Sequence, residues 1–484
     1  MLKRLVIVIF IMFGAFLSFS LYRTFAYDTS VVEEVPSTTD LEYTFKIGNS
    51  SIKQITVDSG ETRYYDIVLG NPNNAKISYS VYYEMVSPSS KPDDYKIEYT
   101  SKSTGESTGI VNNNGNITLN IVVTNTSSNA VTVKVGTVAG YVKGGELTLN
   151  SGQEVIPKKV FPKATYVVEH LDDGTTGDSG SGVYKITHSA IPAESSATGS
   201  EIPAVTDYRY YGPRPNNYIC LDMEGSSTCP DKHLYKIIGS IYEELEGTNR
   251  IKVIKASLIT DGKTNGFSWD YKSDGTYDNI WATPTNGNYS NSLTSGSQLM
   301  KLLNSGVWWN GTSGSYYNES TTATIVNFTN YKLSDKAKSY ISISRYYLGG
   351  NNTSSVKTTA MYSYERGTRR YDTSRPLYWD GYVGLMYPTD YGYAAGNSCA
   401  TGTILYDYNV SCKSKDWLYI SNTNQWLMSP YSGYFDLVLY VYSVGRVVDL
   451  SSDSAIAVSP VFYLTSSTTI TGGEGTSASP YILS

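Results

Sequence analysis

The chain has 484 residues, 40% of them hydrophobic and 17% charged, and its 38 Lys+Arg against 44 Asp+Glu leave a formal net charge of -6. At roughly 100–200 residues per domain this length allows two to three domains, each able to bury a core. The balance excludes a basic nucleic-acid-binding surface, and the composition excludes a polytopic membrane protein, a coiled coil and an acidic disordered tail. The 45 tyrosines and 42 glycines point to wet β surfaces and contact faces, because tyrosine joins a large apolar area to a hydroxyl.

Lys3 and Arg4 precede an uncharged run from Leu5 to Tyr22, which ends at Arg23. That is the pattern of a secretory signal, and at roughly 18 residues it also reaches the lower limit for spanning a bilayer. Thr24-Phe25-Ala26 offers a small-residue cleavage point after Ala26. Residues 1–26 are therefore expected to be a cleaved signal peptide or a helical membrane anchor with its cations inside. Either way the rest of the chain is exported, to the cell surface or the medium.

Residues 38–157 read as all-β. Alternating runs at Tyr64–Leu69, Lys76–Tyr83, Asn116–Val123, Ala130–Val135 and Glu146–Leu149 are separated by the turn sequences Asn71-Pro72-Asn73-Asn74 and Asn112-Asn113-Asn114-Gly115. Such turns favour reversal, and about seven short strands in this length point to an immunoglobulin-like sandwich. It lacks cysteine, so it has no inter-sheet disulfide. Residues 158–206 change character, with a glycine-rich acidic loop carrying Asp172, Asp173 and Asp178, a short strand at Val183–His188 and the small-residue stretch Ala193–Ser200. The segment reads as a linker.

Residues 207–484 form the larger unit. Leu234–Gly239 and Arg250–Ala256 read as a strand pair. Leu299, Met300, Leu302 and Leu303 make an apolar stripe that predicts a helix over Gly296–Ser305, and a second helix is predicted over Ser334–Tyr347. Beyond Tyr378 the expectation is turns and short aromatic strands, giving an α+β fold. The cysteines fall as two local pairs, Cys220 with Cys229 and Cys399 with Cys412, closing loops of about ten and fourteen residues. Disulfides in these pairs are the simplest of three connectivities, and neither pair has the spacing of a zinc site.

The Phe435–Leu450 segment is the most informative surface. Strict alternation puts Phe435, Leu437, Leu439 and Val441 on one face and Asp436, Val438, Tyr440 and Tyr442 on the other. Ser443-Val444-Gly445-Arg446 then turns the chain into a second strand, Val447–Leu450. Tyr440, Tyr442 and Arg446, with Tyr431 and Tyr434 in the preceding loop, are the candidate ligand-binding residues, since Tyr and Arg are frequent binding anchors.

Asn216–Cys220, Tyr235–Gly239, Tyr382–Ala394, Asp416-Trp417-Leu418, Gln425–Pro430, Ser459–Leu464 and the ending Gly472–Tyr481 form an ordered string. With it, residues 207–484 resemble a family of secreted proteins from gut-type Gram-positive bacteria. The domain of that family looks like the C-type-lectin and formylglycine-generating-enzyme (sulfatase-modifying-factor) fold. The resemblance implies an α+β C-type-lectin-like head, an exported location and a ligand side near the Phe435–Leu450 hairpin. It implies fold and location more than activity.

Catalytic and metal-binding groups are sparse. His170, His188 and His233 stand in no Ser/His/Asp or H-E-x-x-H context and read as solvated loop histidines. Asp390 reads as a loop residue making an Asx-turn, and Glu243, Glu244 and Glu246 as a solvated strand end. Asp270-Tyr271-Lys272-Ser273-Asp274-Gly275 resembles the start of an EF-hand loop, but Lys272 stands at its third position and Trp281 at its twelfth, so no metal is expected. No cofactor is expected either. The leading reading is a surface-displayed or secreted binding protein: an immunoglobulin-like stalk and a lectin-like head that recognises an extracellular glycan or protein. The alternatives are a secreted enzyme centred on Cys399 and Cys412 or on Asp390, and a structural envelope protein.

Overall fold

Two-residue periodicity in the first third of the chain becomes two sheets around one core. The computed structural model describes residues 27–28, 44–47, 54–100, 102–141, 147–172, 174–259, 266–282 and 296–484. The apolar run Leu5–Tyr22 and Asp173 lie outside these. Among the described residues no helix is long and apolar enough to cross a membrane. The chain divides into two compact units, Met1–Val160 and Phe161–Ser484, and it is β-rich throughout.

In the first unit, one sheet orders Thr44–Ile47, Glu61–Gly70, Asn116–Asn125 and Tyr95–Tyr99. The other centres on Val131–Tyr141 paired with Ile77–Ser87, which are flanked by Tyr27–Asp28, Gln54–Val57, Thr108–Val111 and Gln153–Val155. All the strand pairings are antiparallel, with one isolated parallel bridge, Tyr99 to Lys158. Ile67, Leu69 and Leu119 of the first sheet share a core with Val81, Val133 and Val135 of the second, so the pair is a sandwich. Asn71 ties the two expected turns together: its Nδ2 donates to Ala75 O at 2.8 Å and Asn112 O at 3.1 Å. The closing strand is Gln153–Val155 rather than Glu146–Leu149, whose described residues are not extended into a ladder.

The second unit is built on a nine-stranded mixed sheet. Its spine runs Ile341–Ser342, Val461–Leu464, Thr248–Lys255, Leu234–Glu243, Tyr218–Cys220, Tyr481–Leu483 and Ile470–Gly472. The C-terminal strand lies parallel to Tyr218–Cys220, between it and the edge strand Ile470–Gly472. Val205–Tyr211 also pairs with Leu234–Glu243, and Gly182–His188 pairs with Val205–Tyr211 over its whole length. Much of the expected linker is therefore part of this unit. Ala164 and Val168 of a short helix, Ala164–Glu169, join the same core. Apolar residues at helical and strand spacing there outweigh the glycines that made the segment look like a tether.

The helix over Gly296–Ser305 appears as Gln298–Asn304, with the Ser297 hydroxyl accepting from Met300 N at 3.1 Å. The helix expected over Ser334–Tyr347 stops after Asp335–Ser339. Ile341 and Ile343 are β-branched, and the following residues form Ile341–Ser342 and Ser344–Tyr347 instead. Pro388–Ala394, expected as turn and strand, is a helix with proline at its first turn. Its Gly392 is needed because a Cβ there would meet Thr358 Oγ1 at 2.0 Å. Both expected disulfides are formed, Cys220–Cys229 and Cys399–Cys412, leaving no free cysteine.

Candidate functional site

The site residues sit on a three-stranded antiparallel sheet of the second unit, ordered Gln425–Pro430, Leu437–Val441 and Val447–Ser451. The turn after the central strand closes with Gly445 at φ 101 and Gly445 N donating to Tyr442 O at 2.7 Å. At the other end, the loop between Pro430 and Leu437 is pinned by one buried side chain. Asn279 Nδ2 donates to Tyr434 O at 2.9 Å and Leu437 O at 2.8 Å, and Asn279 N donates to Phe435 O at 2.9 Å. Arg375 completes the clamp: Nη1 donates to Asn279 Oδ1 at 2.6 Å and Nη2 to Phe435 O at 3.0 Å.

This clamp frames a narrow pit of about 20 Å³ between the loop and the 370–376 segment, walled by Trp281, Leu348, Arg370, Tyr371, Arg375 and Tyr431 among others. That volume takes one water-sized or slightly larger group. Aromatic rings flank the opening. Tyr371 is 47% exposed, Tyr434 58% and Phe435 47%. The Tyr371 and Phe435 rings lie 6.2 Å apart, and Tyr431 stacks on Tyr434 at 6.1 Å. Three of these rings are substantially exposed at one place, which marks a contact surface rather than scattered surface residues. Beneath them, Trp281 is 1% exposed. Its indole N–H, and the Arg375 Nε–H, are buried without a hydrogen-bond partner among the described residues. Trp269 and Trp379 also bury an unpaired indole N–H, but neither walls the pit.

The five candidate binding residues separate. Tyr431 walls the pit and Tyr434 stands beside it. Tyr440 does not face outward: it is 7% exposed, on the central strand between Trp426 and Val448. Val438, Leu439 and Val441 are buried with it and Phe435 is exposed, because both faces of this strand are covered and alternation no longer sorts inside from outside. Tyr442 and Arg446 lie at the far turn, where Arg446 packs over the Tyr406 and Tyr442 rings at 5.2 and 5.4 Å. Five strand residues at roughly 3.4 Å each put that turn about 17 Å from the pit. Tyr371 and Arg375, which the sequence reading missed, come from a distant loop with no periodic signal.

Residues read as solvated are instead buried charges. Asp390 accepts Tyr387 N at 2.9 Å within the helix Pro388–Ala394, and ion-pairs with Arg209 at 2.8 Å and with Lys252. Burial favours its neutral form, but Lys252 and Arg209 outweigh this and hold the carboxyl below its ordinary range. It is a paired structural anion without a proton to give. His188 is buried, stacked on Tyr362 at 3.6 Å and bonded to Asp207 at 3.0 Å. Burial lowers its pKa. Glu243 is 2% exposed, paired with Arg250 at 3.3 Å.

In the loop that resembles an EF-hand, the Lys272 ammonium bridges Asp270 at 3.2 Å and Asp278 at 3.1 Å, supplying an internal cation. Burial pushes Asp270 up to about 6. Asp222, Glu224 and the buried His233 offer ligand atoms within 4.8 Å of one another. Lys232 pairs with Glu224 at 2.9 Å and the Ser334 hydroxyl donates to Asp222 at 2.5 Å, so these carboxylates are already engaged. Cys399 and Cys412 are bonded to each other and present no thiol pair.

No protein-family model, curated protein or solved structure matches the chain.

Proposed function

We propose that the chain is an exported binding protein held at or released from the cell surface through residues 1–26. Its first unit serves as an immunoglobulin-like stalk, and its second as a C-type-lectin-like head that recognises an extracellular glycan. The observation that carries this reading is the group of exposed rings, Tyr371, Tyr434 and Phe435, around a pit lined by Arg370, Tyr431 and Ser432. A sugar suits such a surface, since its C–H face lies on an aromatic ring while its oxygens take hydrogen bonds. Two disulfides agree with an oxidising compartment.

The test is a glycan array probed with the full chain and with a Tyr371→Ser, Tyr434→Ser double variant. Both side chains are near half exposed or more, so melting should be nearly unchanged. Binding to the glycans retained by the parent should fall by more than tenfold. A chain that binds no glycan, or a double variant that binds as the parent does, overturns the reading. Binding confined to a protein partner moves the head to the other ligand class.

A further inference from the structure

We infer that the ligand is a chain of neutral sugars that runs from the aromatic rings into a neighbouring groove; this rests on the glycan reading above. The groove lies over the helix Gln298–Asn304 and measures about 470 Å³, within the roughly 300–1,000 Å³ of small-molecule sites. The pit beside the rings, at about 20 Å³, is too small for a sugar ring, so the groove is where a bound saccharide finds depth. One carboxylate separates the two hollows. Asp278 Oδ2 accepts from the Lys272 ammonium at 3.1 Å, and Asp278 Oδ1 faces Arg375 Nη1 at 3.8 Å. Lys272 walls the groove and Arg375 the pit. The Lys272 and Asp278 side chains are 44% and 24% exposed, so this divide lies at the surface and a linear ligand can cross it.

The chemistry of the wall sets the class. Four charged side chains line the groove, Asp270 and Asp274 against Lys272 and Lys301. Two charges of each sign give no field to reward an anion or a cation. The accessible groups both give and take hydrogen bonds. Gln298 Oε1 accepts from Tyr317 N at 3.2 Å, which leaves its NH2 as a donor beside the Lys301 ammonium. Asp274 Oδ1 accepts from Thr276 N at 3.0 Å, and its second oxygen remains an acceptor. The Ser305 and Ser315 hydroxyls do either. Gln298 and Lys301 are half-buried, and Asp274, Ser305 and Ser315 are exposed, so a ligand reaches all five. A sugar hydroxyl donates and accepts at one atom, and so answers both kinds of group. An acceptor-only anion would repel Asp274, and a cation would repel Lys301. The half-buried Tyr317 ring also walls the groove and gives a sugar's C–H face an apolar partner.

The test titrates the full chain with the dimer and hexamer of cello-, manno-, xylo- and chito-oligosaccharides and of any further neutral series the array returns. Galacturonate and glucosamine oligomers serve as charged counterparts. In a neutral series that binds, the hexamer should bind at least about tenfold more tightly than the dimer. Its affinity should hold as NaCl is raised from about 0.05 to about 0.5 M. Lys301→Ala should bring the hexamer's affinity down towards the dimer's and leave the dimer's unchanged. Ser315→Trp fills the groove from an exposed strand position and should do the same, with melting unchanged in both variants. Equal affinity for dimer and hexamer, binding confined to a charged series, or groove variants that hold the hexamer as the parent does would each overturn this inference and leave the glycan reading standing. Binding of no saccharide overturns both.

Discussion

Glu365 ends the helix Thr358–Glu365 with no solvent exposure, and its surroundings set a pH dependence for the whole unit. Burial pushes its pKa up to about 7, although Arg366 and the Thr389 hydroxyl and N–H favour the anion. The unfolded carboxyl titrates near 4.5. Between those values the folded state keeps a proton that the unfolded state has lost. Stability therefore falls as pH rises from about 4.5 to about 7 and is flat with respect to this group above it. The loss is on the order of 3 kcal/mol. Glu365→Gln should remove it. Measured by urea unfolding of the second unit's transition, the variant should gain on the parent by that order between pH 4.5 and pH 7.5. An unchanged difference between the two proteins at both pH values would falsify the shift.

At the scale of the element, the central strand Leu437–Val441 shows where periodicity stops being informative. Alternation predicts which residues share a face, and that much is geometry. Which face is dry depends on what covers it. Here Gln425–Pro430 and Val447–Ser451 flank the strand, and the Trp426 ring lies 6.3 Å from that of Tyr440. Tyr440→Ser should therefore cost about 3 kcal/mol, as for other large-to-small changes of a buried aromatic, while Tyr434→Ser in the adjoining loop should stay within about 0.5 kcal/mol. Thermal melting of the two single variants separates them. Equal, small shifts would return Tyr440 to the surface. The turn at Gly445 was legible by contrast, because it closes through its own backbone neighbourhood, Gly445 N donating to Tyr442 O. The truncated helix after Ser334 lost to a sheet edge that only the folded unit provides.

For the whole molecule, each unit has its own main hydrophobic core, and both disulfides fall in the second. Calorimetry should show two transitions. A reductant should lower only that of the second unit, by at least about 5 °C, from roughly 3 kcal/mol per closed loop. One coincident transition, or a reductant shift in the first, would count against separate folding units. The sequence by itself determined the β-rich character, most of the sandwich-forming strands and the cysteine pairs. These depend on local spacing, on short loops and on composition. Only the tertiary structure decided that the 161–206 segment belongs to the second unit's sheet and core, that His188, Glu243 and Asp390 are buried in ion pairs, and that Trp281, Tyr371, Arg375 and Tyr431 meet around one pit. The physical reason is that a buried charge and a binding cleft are each completed by partners from distant parts of the chain. Arg209 and Asp390 are 181 residues apart, and Asn279 holds Leu437 across 158. No local pattern records such a meeting.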